Sequence, residues 1–275
     1  MINIREIQKK YGFSFKSSLG QNFFNNEILL EEILNILYID KESTVLEIGP
    51  GFGVLTEKLL KICSHVICVE IDYNAYDILL NEFKGIKNLT LLNEDFLKMD
   101  LNNFKNIKGL KIIANIPYYI TTPILEKLFS SDLDIDFIGV MVQKEVGNRI
   151  LASPSTKEYG SLTVFSNYYS KCNLIKKIPA CNFTPVPKVD SMFLKFSIIK
   201  EREFQGKLEK EFLSFVKKCF SMRRKTLFNV LSQFKLNKCE LSKISQNINI
   251  DFNKRAETLS LDDFKKLFLS ISKSN

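Results

Sequence analysis

Residues 44 to 62 read TVLEIGPGFG followed by VLTEKLLKI: an apolar strand pattern, a glycine-rich turn and a helical pattern with nothing between them. A strand that turns straight into a helix has to lay that helix on the face of its own sheet, and the next strand then runs parallel to the first. The rest of the first half keeps this rhythm. Strand signals at 66 to 71, 88 to 92, 110 to 114 and 136 to 142 alternate with helical periods at 74 to 83, 122 to 130 and 144 to 152, and a helix at 28 to 38 precedes them. A further helix at 159 to 169 and two strands at 172 to 178 and 191 to 198 follow, the strands bracketing the Pro-rich loop FTPVPKVDS. The expected fold is α/β, a doubly wound and mostly parallel sheet. In such sheets ligands meet the loops beyond the strand C-termini, and Gly49, Gly51, Glu70, Asp95 and Asn115 all fall there.

The glycines say what kind of ligand. Gly49, Gly51 and Gly53 alternate with other residues, which permits a sharp turn and brings bare backbone against a bound molecule. The spacing is G-x-G-x-G, not the G-x-G-x-x-G that seats a pyrophosphate on a helix N-terminus, so an NAD-type reading is disfavoured. Glu70 closes the second strand, 21 residues after Gly49, where its carboxylate can accept from both hydroxyls of a ribose. A nucleoside without phosphates, such as S-adenosylmethionine, suits this set; a bare strand–helix turn with no ligand is the plainer alternative. Asp95, in the turn after 88 to 92, reads equally as a cap or as an acceptor for a nucleobase amine.

Asn115-Ile116-Pro117-Tyr118 directly follows the apolar run 110 to 114. An exocyclic amine on adenine is a poor nucleophile because its lone pair is delocalised into the ring. A site that alkylates it has to hold the amine through accepted hydrogen bonds. The Asn115 amide oxygen and the carbonyl before Pro117 are acceptors at fixed geometry, since proline locks its own φ and keeps the preceding residue extended. Tyr118 offers a flat face for stacking, at roughly 1–3 kcal/mol per base. A strand end with a Pro-Tyr turn is the competing reading of the tetrapeptide alone.

Charge is distributed unevenly. The chain carries +8 overall, yet residues 1 to 199 hold 22 basic and 22 acidic side chains, and residues 200 to 275 hold 17 and 9. The excess is confined to the last 76 residues, as expected of a polyanion-binding segment beside a neutral catalytic one. There the period becomes helical, in LEKEFLSFVKKCF, RRKTLFNVLSQF, KCELSKISQN and LDDFKKLFLSI, with a boundary expected in KEREFQG. This divides the chain into residues 1–199 and 200–275. Arg223, Arg224 and Lys225 open one predicted helix and suit phosphate contacts, the alternative being a solvated helix start. Six cysteines without a C-x-x-C pair and a single His argue against a metal site or a disulfide framework. No apolar run nears the roughly 20 residues of a membrane span, and MINIREIQKKYGF lacks the apolar stretch of a secretory signal, so a cytoplasmic protein is expected.

Over nearly its whole length the chain resembles the ribosomal RNA adenine dimethyltransferases of the KsgA type. The resemblance is carried by LGQNFF (19–24), LEIGPGFGVLT (46–56), VEID (69–72), NEDFL (93–97), ANIPYYITTPIL (114–125), MVQKEVGNRI (141–150), YGSLTV (159–164), FTPVPKVDS (183–191), RRKTL (223–227) and RAETLSLDDF (255–264). It implies a class I methyltransferase (Rossmann-like) fold with a small C-terminal helical domain that binds RNA. It implies S-adenosylmethionine as donor, bound by Asn22, Phe24, Gly49, Gly51, Glu70, Asp95 and Asn115, with Gln21 beside them. It further implies Asn115, Pro117, Tyr118 and Phe183 as catalytic residues, the target ring lying between Tyr118 and Phe183. The implied substrate is a pair of adjacent adenosines in the 3′-terminal hairpin of small-subunit rRNA, within a pre-30S particle, and the implied protein is a monomer. Phe24, Tyr119 and Ser161 stand where the family more often has Leu, Asn and Arg. An erythromycin-resistance-type enzyme acting on large-subunit rRNA shares the N-I-P-Y pattern; RRKTL and RAETLSLDDF favour the KsgA type. A ribosome-assembly binding factor with incidental activity is the reading from another class.

Overall fold

A computed structural model describes residues 2–13, 22–115, 120–234 and 236–272. The chain forms two compact units, Met1–Gly147 with Asn173–Ile198, and Asn148–Cys172 with Ile199–Asn275. In chain order the elements are α1 (Ile4–Tyr11), β1 (Phe23–Phe24), α2 (Glu27–Leu37), β2 (Thr44–Ile48), α3 (Val54–Ile62), β3 (His65–Glu70), α4 (Tyr73–Glu82), β4 (Leu89–Asn93), β5 (Leu110–Ala114), α5 (Thr121–Phe129) and β6 (Ile135–Gln143). Then follow α6 (Lys144–Ile150), α7 (Ser161–Tyr169), β7 (Ser170–Ile178), β8 (Phe183–Thr184), β9 (Ser191–Ile198), α8 (Gly206–Cys219), α9 (Leu227–Leu231), α10 (Lys238–Ile248) and α11 (Leu261–Ser272).

Seven strands make one sheet in the order β4-β3-β2-β5-β6-β9-β7. The pairs from β4 to β6 are parallel, and β9 lies antiparallel to β6. From β2 the chain builds outward to β3 and β4, then returns to place β5 on the other side of β2. That reversal opens a crevice at the C-terminal ends of β2 and β5, where doubly wound sheets hold their ligands. The parallel strands read as near-continuous apolar runs because both faces are covered: Val45, Leu46, Val66, Ile112 and Ile138 have no exposed surface. α2 shows how one covering helix is fixed. Asn26 caps it, its side chain accepting from the Leu29 N–H at 3.0 Å, and Tyr38 ends it in the left-handed conformation. Leu30, Ile33, Leu34 and Leu37 fall on one face by the 3.6 period and join the buried cluster of Val45, Val66, Ile113 and Phe193. Burial of that kind contributes about 1.5–3 kcal/mol per side chain.

Two elements are additional to those expected. α1 is capped by Asn3 and stopped by Gly12 at φ 61°, and β1 pairs antiparallel with β8 over two residues. An eight-residue helix and a two-residue ribbon are too short for periodicity to reveal.

The second unit has its own aromatic core. The Tyr169 hydroxyl donates to Glu209 Oε1 at 2.6 Å, and the Arg202 guanidinium pairs with the other oxygen at 3.2 Å. The Tyr168 hydroxyl donates to the Phe204 carbonyl at 2.8 Å, and the Tyr159 hydroxyl to the Leu259 carbonyl, also at 2.8 Å. These bonds explain why residues 148 to 172, expected with the N-terminal 1–199 domain, cluster with the C-terminal helices instead. Tyr159, Tyr168 and Tyr169 are all buried. Among the described residues, no helix is long and apolar enough to cross a membrane.

Candidate active site

The turn after β2 is built for close approach. Gly49, Gly51 and Gly53 have φ of 72°, 58° and 85°, a region that L side chains avoid. At Gly51 space is lacking as well: a Cβ would stand 2.5 Å from the Phe23 ring. Phe52, fully buried between them, stacks on Phe23 with centroids 4.2 Å apart and takes the edge of Phe13 at 4.7 Å. The turn is therefore packed against aromatic rings, and both its backbone and the Phe23 ring line the crevice.

Glu70 ends β3 and grips the same turn. Its Oε2 accepts from the Gly51 N–H at 3.0 Å and its Oε1 from the Asp72 N–H at 2.9 Å. Burial raises its pKa, with those two bonds pulling the other way. Each oxygen keeps a second lone pair, so the carboxylate can hold the turn and still accept from a ligand. Glu47, at the foot of the crevice, is more deeply buried. It accepts from Thr56 Oγ1 at 2.7 Å and from the Cys68 thiol at 3.5 Å, and desolvation pushes its pKa up to about 7. Sequence patterns alone assign Glu47 no role; its place in LEIGPG, one residue before the strand end, is the signal that could have marked it.

After β4, Asp95 organises a tight turn: its Oδ1 accepts from the Leu97 N–H at 3.0 Å, and its carbonyl from the N–H groups of Lys98 and Met99 at 2.9 and 3.0 Å. The capping role and an outward-facing acceptor thus coexist in one side chain, about a third exposed.

Asn22, Phe24, Gly49, Gly51, Glu70, Asp95 and Asn115 all line one cleft of about 290 Å³, together with Glu47, Ile120, Met141 and Phe193. Segments far apart in sequence, around residues 22–24, 47–51, 70, 95, 115 and 120, converge there with Met141 and Phe193. Among the described residues, the charged groups lining the cleft are Glu47, Glu70, Glu94 and Asp95, all acidic. That wall suits a cationic nucleoside and repels a phosphate. Gln21, Pro117, Tyr118 and Tyr119 lie outside the described residues.

Two expectations are corrected. Phe183, implied by the resemblance to lie against the target ring, is 1 % exposed. The β1–β8 pairing sets it opposite Phe24, and the two rings meet edge to face at 5.5 Å. The loop displays Val186 and Val189 instead. Arg223, Arg224 and Lys225 do not begin a helix; they occupy the turns before α9, which starts only after Thr226. Cations at a helix N-terminus oppose its dipole, and Thr takes the cap position more readily. Within this run Arg223 is engaged: its Nη2 donates to the carbonyls of Lys157 and Tyr159 at 2.8 and 3.2 Å and pairs with Glu257 at 3.7 Å.

A sequence profile of the family described as ribosomal RNA adenine dimethylase matches residues 12–273. A protein of Clostridium botulinum (strain Kyoto / Type A2) named ribosomal RNA small subunit methyltransferase A is 42 % identical over 267 residues, covering 97 % of each chain. A namesake from Clostridium perfringens (strain SM101 / Type A) is 38 % identical, covering 99 % of this chain and 96 % of its own. Among solved structures, a dimethyladenosine transferase from Plasmodium falciparum superposes with a TM-score of 0.78 at 28 % identity, covering 91 % of this chain and 98 % of that one. A 23S rRNA methyltransferase, ErmE, reaches 0.70 at 23 % identity over 91 % of this chain and all of its own, a likeness of fold. With a crevice of this geometry at the switch point and matches along its length, the chain belongs to the ribosomal RNA adenine dimethylase family.

Proposed function

We propose that this protein dimethylates the N6 amines of two adjacent adenosines in the 3′-terminal hairpin of small-subunit rRNA, with S-adenosylmethionine as donor. The observation that carries the reading is the convergence of an all-acidic, glycine-floored cleft with Asn115 at the end of β5. Bound S-adenosylmethionine supplies an electrophilic methyl group on a cationic sulfur. The residues around it have separable tasks. Glu70 accepts from ribose hydroxyls with the lone pairs that Gly51 and Asp72 leave open. Asp95 accepts from the adenine amine, and the acidic wall favours the donor's positive charge over neutral analogues. On the acceptor side, the Asn115 amide oxygen takes a hydrogen bond from the target amine and orients its lone pair. Pro117 and Tyr118 are assigned to that side from sequence alone. Phe183 would act on a target base only from behind Phe24, which makes it a supporting ring. This is catalysis by positioning, with the target base drawn out of its stack.

RNA is held, in this reading, by the second unit. The Leu227 N–H donates to the Lys254 carbonyl at 2.8 Å and the Phe228 N–H to the Phe252 carbonyl at 2.9 Å. This joins the Arg224-Lys225 turn to the exposed Lys254-Arg255 pair. In this reading these four cations, from two stretches of the chain, serve one RNA-binding surface. The substrate is an assembling small-subunit particle in the cytoplasm, met by a monomer; the small-subunit names of relatives at 38–42 % identity favour it over large-subunit rRNA. The test is incubation with labelled donor and, separately, unmethylated small- and large-subunit particles, followed by mapping of labelled bases. Two neighbouring dimethyladenosines in the small-subunit RNA are expected. Label in the large subunit alone would overturn the proposal.

A further inference from the structure

α5 begins one residue after Ile120, on the acceptor side of the cleft, and carries Lys127 in its last turn. A lysine there ordinarily serves its own helix, whose terminal carbonyls attract cations. This one reaches away. Its Nζ donates to the Leu97 carbonyl at 2.9 Å and the Met99 carbonyl at 2.5 Å, and stands 5.5 Å from the centroid of the Phe96 ring. All three partners belong to the turn that presents Asp95. The turn's own bonds all run to Asp95, through its side chain and its carbonyl, so they fix the near half of the loop. Lys127 fixes the far half. It is half-buried, and the cost of that desolvation is partly offset by attraction to Asp95 and Asp100.

We propose that Lys127 is a positioning residue for adenine recognition. By gripping the Leu97 and Met99 carbonyls and the Phe96 ring, it sets the orientation in which the Asp95 carboxylate meets the exocyclic amine of the donor's adenine, and ties that orientation to the helix that follows Asn115. The inference rests on the donor reading above and adds to it a residue from outside the cleft. Its chemistry is specific. A turn released at Leu97 and Met99 misdirects Asp95 while leaving Glu70, on a different strand, in place. Loss of Lys127 therefore erodes the adenine contact and spares the ribose contact.

The experiment is titration calorimetry with S-adenosylhomocysteine and with S-inosylhomocysteine, in which a ring carbonyl replaces the exocyclic amine that Asp95 accepts from. The parent protein should prefer the adenine compound. In Lys127→Met, affinity for S-adenosylhomocysteine should fall about tenfold, close to the lower end of the range for hydrogen bonds to a charged group, and affinity for S-inosylhomocysteine by no more than about twofold, so the preference narrows. Lys127→Arg, which keeps a cation with several donors, should restore most of the preference, and Lys127→Gln serves if the Met variant does not fold. An unchanged preference in the Met or Gln variant, or an equal loss for both compounds, would overturn the inference. A parent that binds neither compound would instead overturn the donor reading.

Discussion

At the scale of single residues, the proposed reading separates groups that would hold the donor from groups that would act on the target. Asn115 lines the donor cleft and in that reading also acts on the target. Asn115→Ala should abolish methyl transfer while leaving donor affinity within a few-fold, because an acceptor for the target amine matters most in the transition state; calorimetry beside a methylation assay checks this. Glu70 does two jobs. Glu70→Ala should weaken donor binding by about 1.5–3 kcal/mol, and should also lower the melting temperature of the ligand-free protein, since the Gly51 and Asp72 N–H groups lose their acceptor. Glu70→Gln keeps one acceptor oxygen and should fall between. Glu47 should make stability depend on pH. Its carboxyl titrates at about 7 in the fold against 4.5 in the open chain, so between those values the unfolded state has released a proton that the folded state still holds. Stability of the ligand-free protein should therefore fall as pH rises from 4.5 to 7 and then level off. Glu47→Gln should remove that slope and gain on the order of 3 kcal/mol at pH 8; denaturant melts of both proteins across pH decide it.

At the scale of elements, the glycine turn depends on the N-terminal helix. α1 contributes Ile4 and Ile7 to a small buried cluster with Phe13, Phe23, Phe52 and Ile78, and Phe52 sits at its centre. Phe52→Ala should cost about 3–5 kcal/mol, the usual penalty for a buried Phe truncated to Ala. Because Phe52 lies between Gly51 and Gly53, the same variant should lose donor affinity. Urea unfolding and a donor titration measure the two effects, and a variant that loses stability but binds normally would separate the clamp from the turn. The Pro-rich loop shows a different rule. Two prolines stiffen a segment, but which side chain they expose is set by strand pairing at its base: β1 and β8 turn Phe183 inward and leave Val186 and Val189 outside.

At the scale of the whole molecule, the second unit is not a simple C-terminal appendix. A truncated chain ending at residue 199 keeps Tyr159, Tyr168 and Tyr169 but removes Leu259, Phe204 and Glu209, the partners of their hydroxyls. It should be poorly soluble and bind a hydrophobic dye, with parent and truncated chain compared at equal concentration. The basic excess has a sharper consequence. Replacing Arg224 and Lys225 with Ala should weaken binding to small-subunit particles and reduce the salt slope by about 0.7–0.9 for each phosphate that is no longer neutralised, with melting temperature unchanged. Arg223→Ala should act through stability instead, since its guanidinium holds two carbonyls and Glu257. Filter binding across a salt series, beside thermal melts, distinguishes the two.

Much of this molecule follows from local rules that act on short stretches of chain. The strands and helices of the sheet, the left-handed glycines at 49, 51 and 53 and the Asn26 cap depend on periodicity, on Cβ sterics and on side chains bonding to near neighbours. Gly49, Gly51, Glu70, Asp95 and Asn115 at the cleft were also legible, because an open α/β sheet brings the ends of its strands together, whereas Glu47 was not. What local rules could not supply are the pairings between distant segments. Burial of Phe183 needs β1 and β8, whose register sets Phe183 opposite Phe24, with the Asn25–Thr184 bond beside them spanning 159 residues. The grouping of residues 148 to 172 with the C-terminal helices needs hydroxyl partners up to 100 residues away. The engagement of Arg223 and the reach of Lys127 to the Asp95 turn are of the same kind. Each turns on which polar or aromatic group finds a partner when the chain closes, and that is decided by tertiary packing because a buried hydroxyl, guanidinium or ammonium must be satisfied by whatever the fold brings within reach.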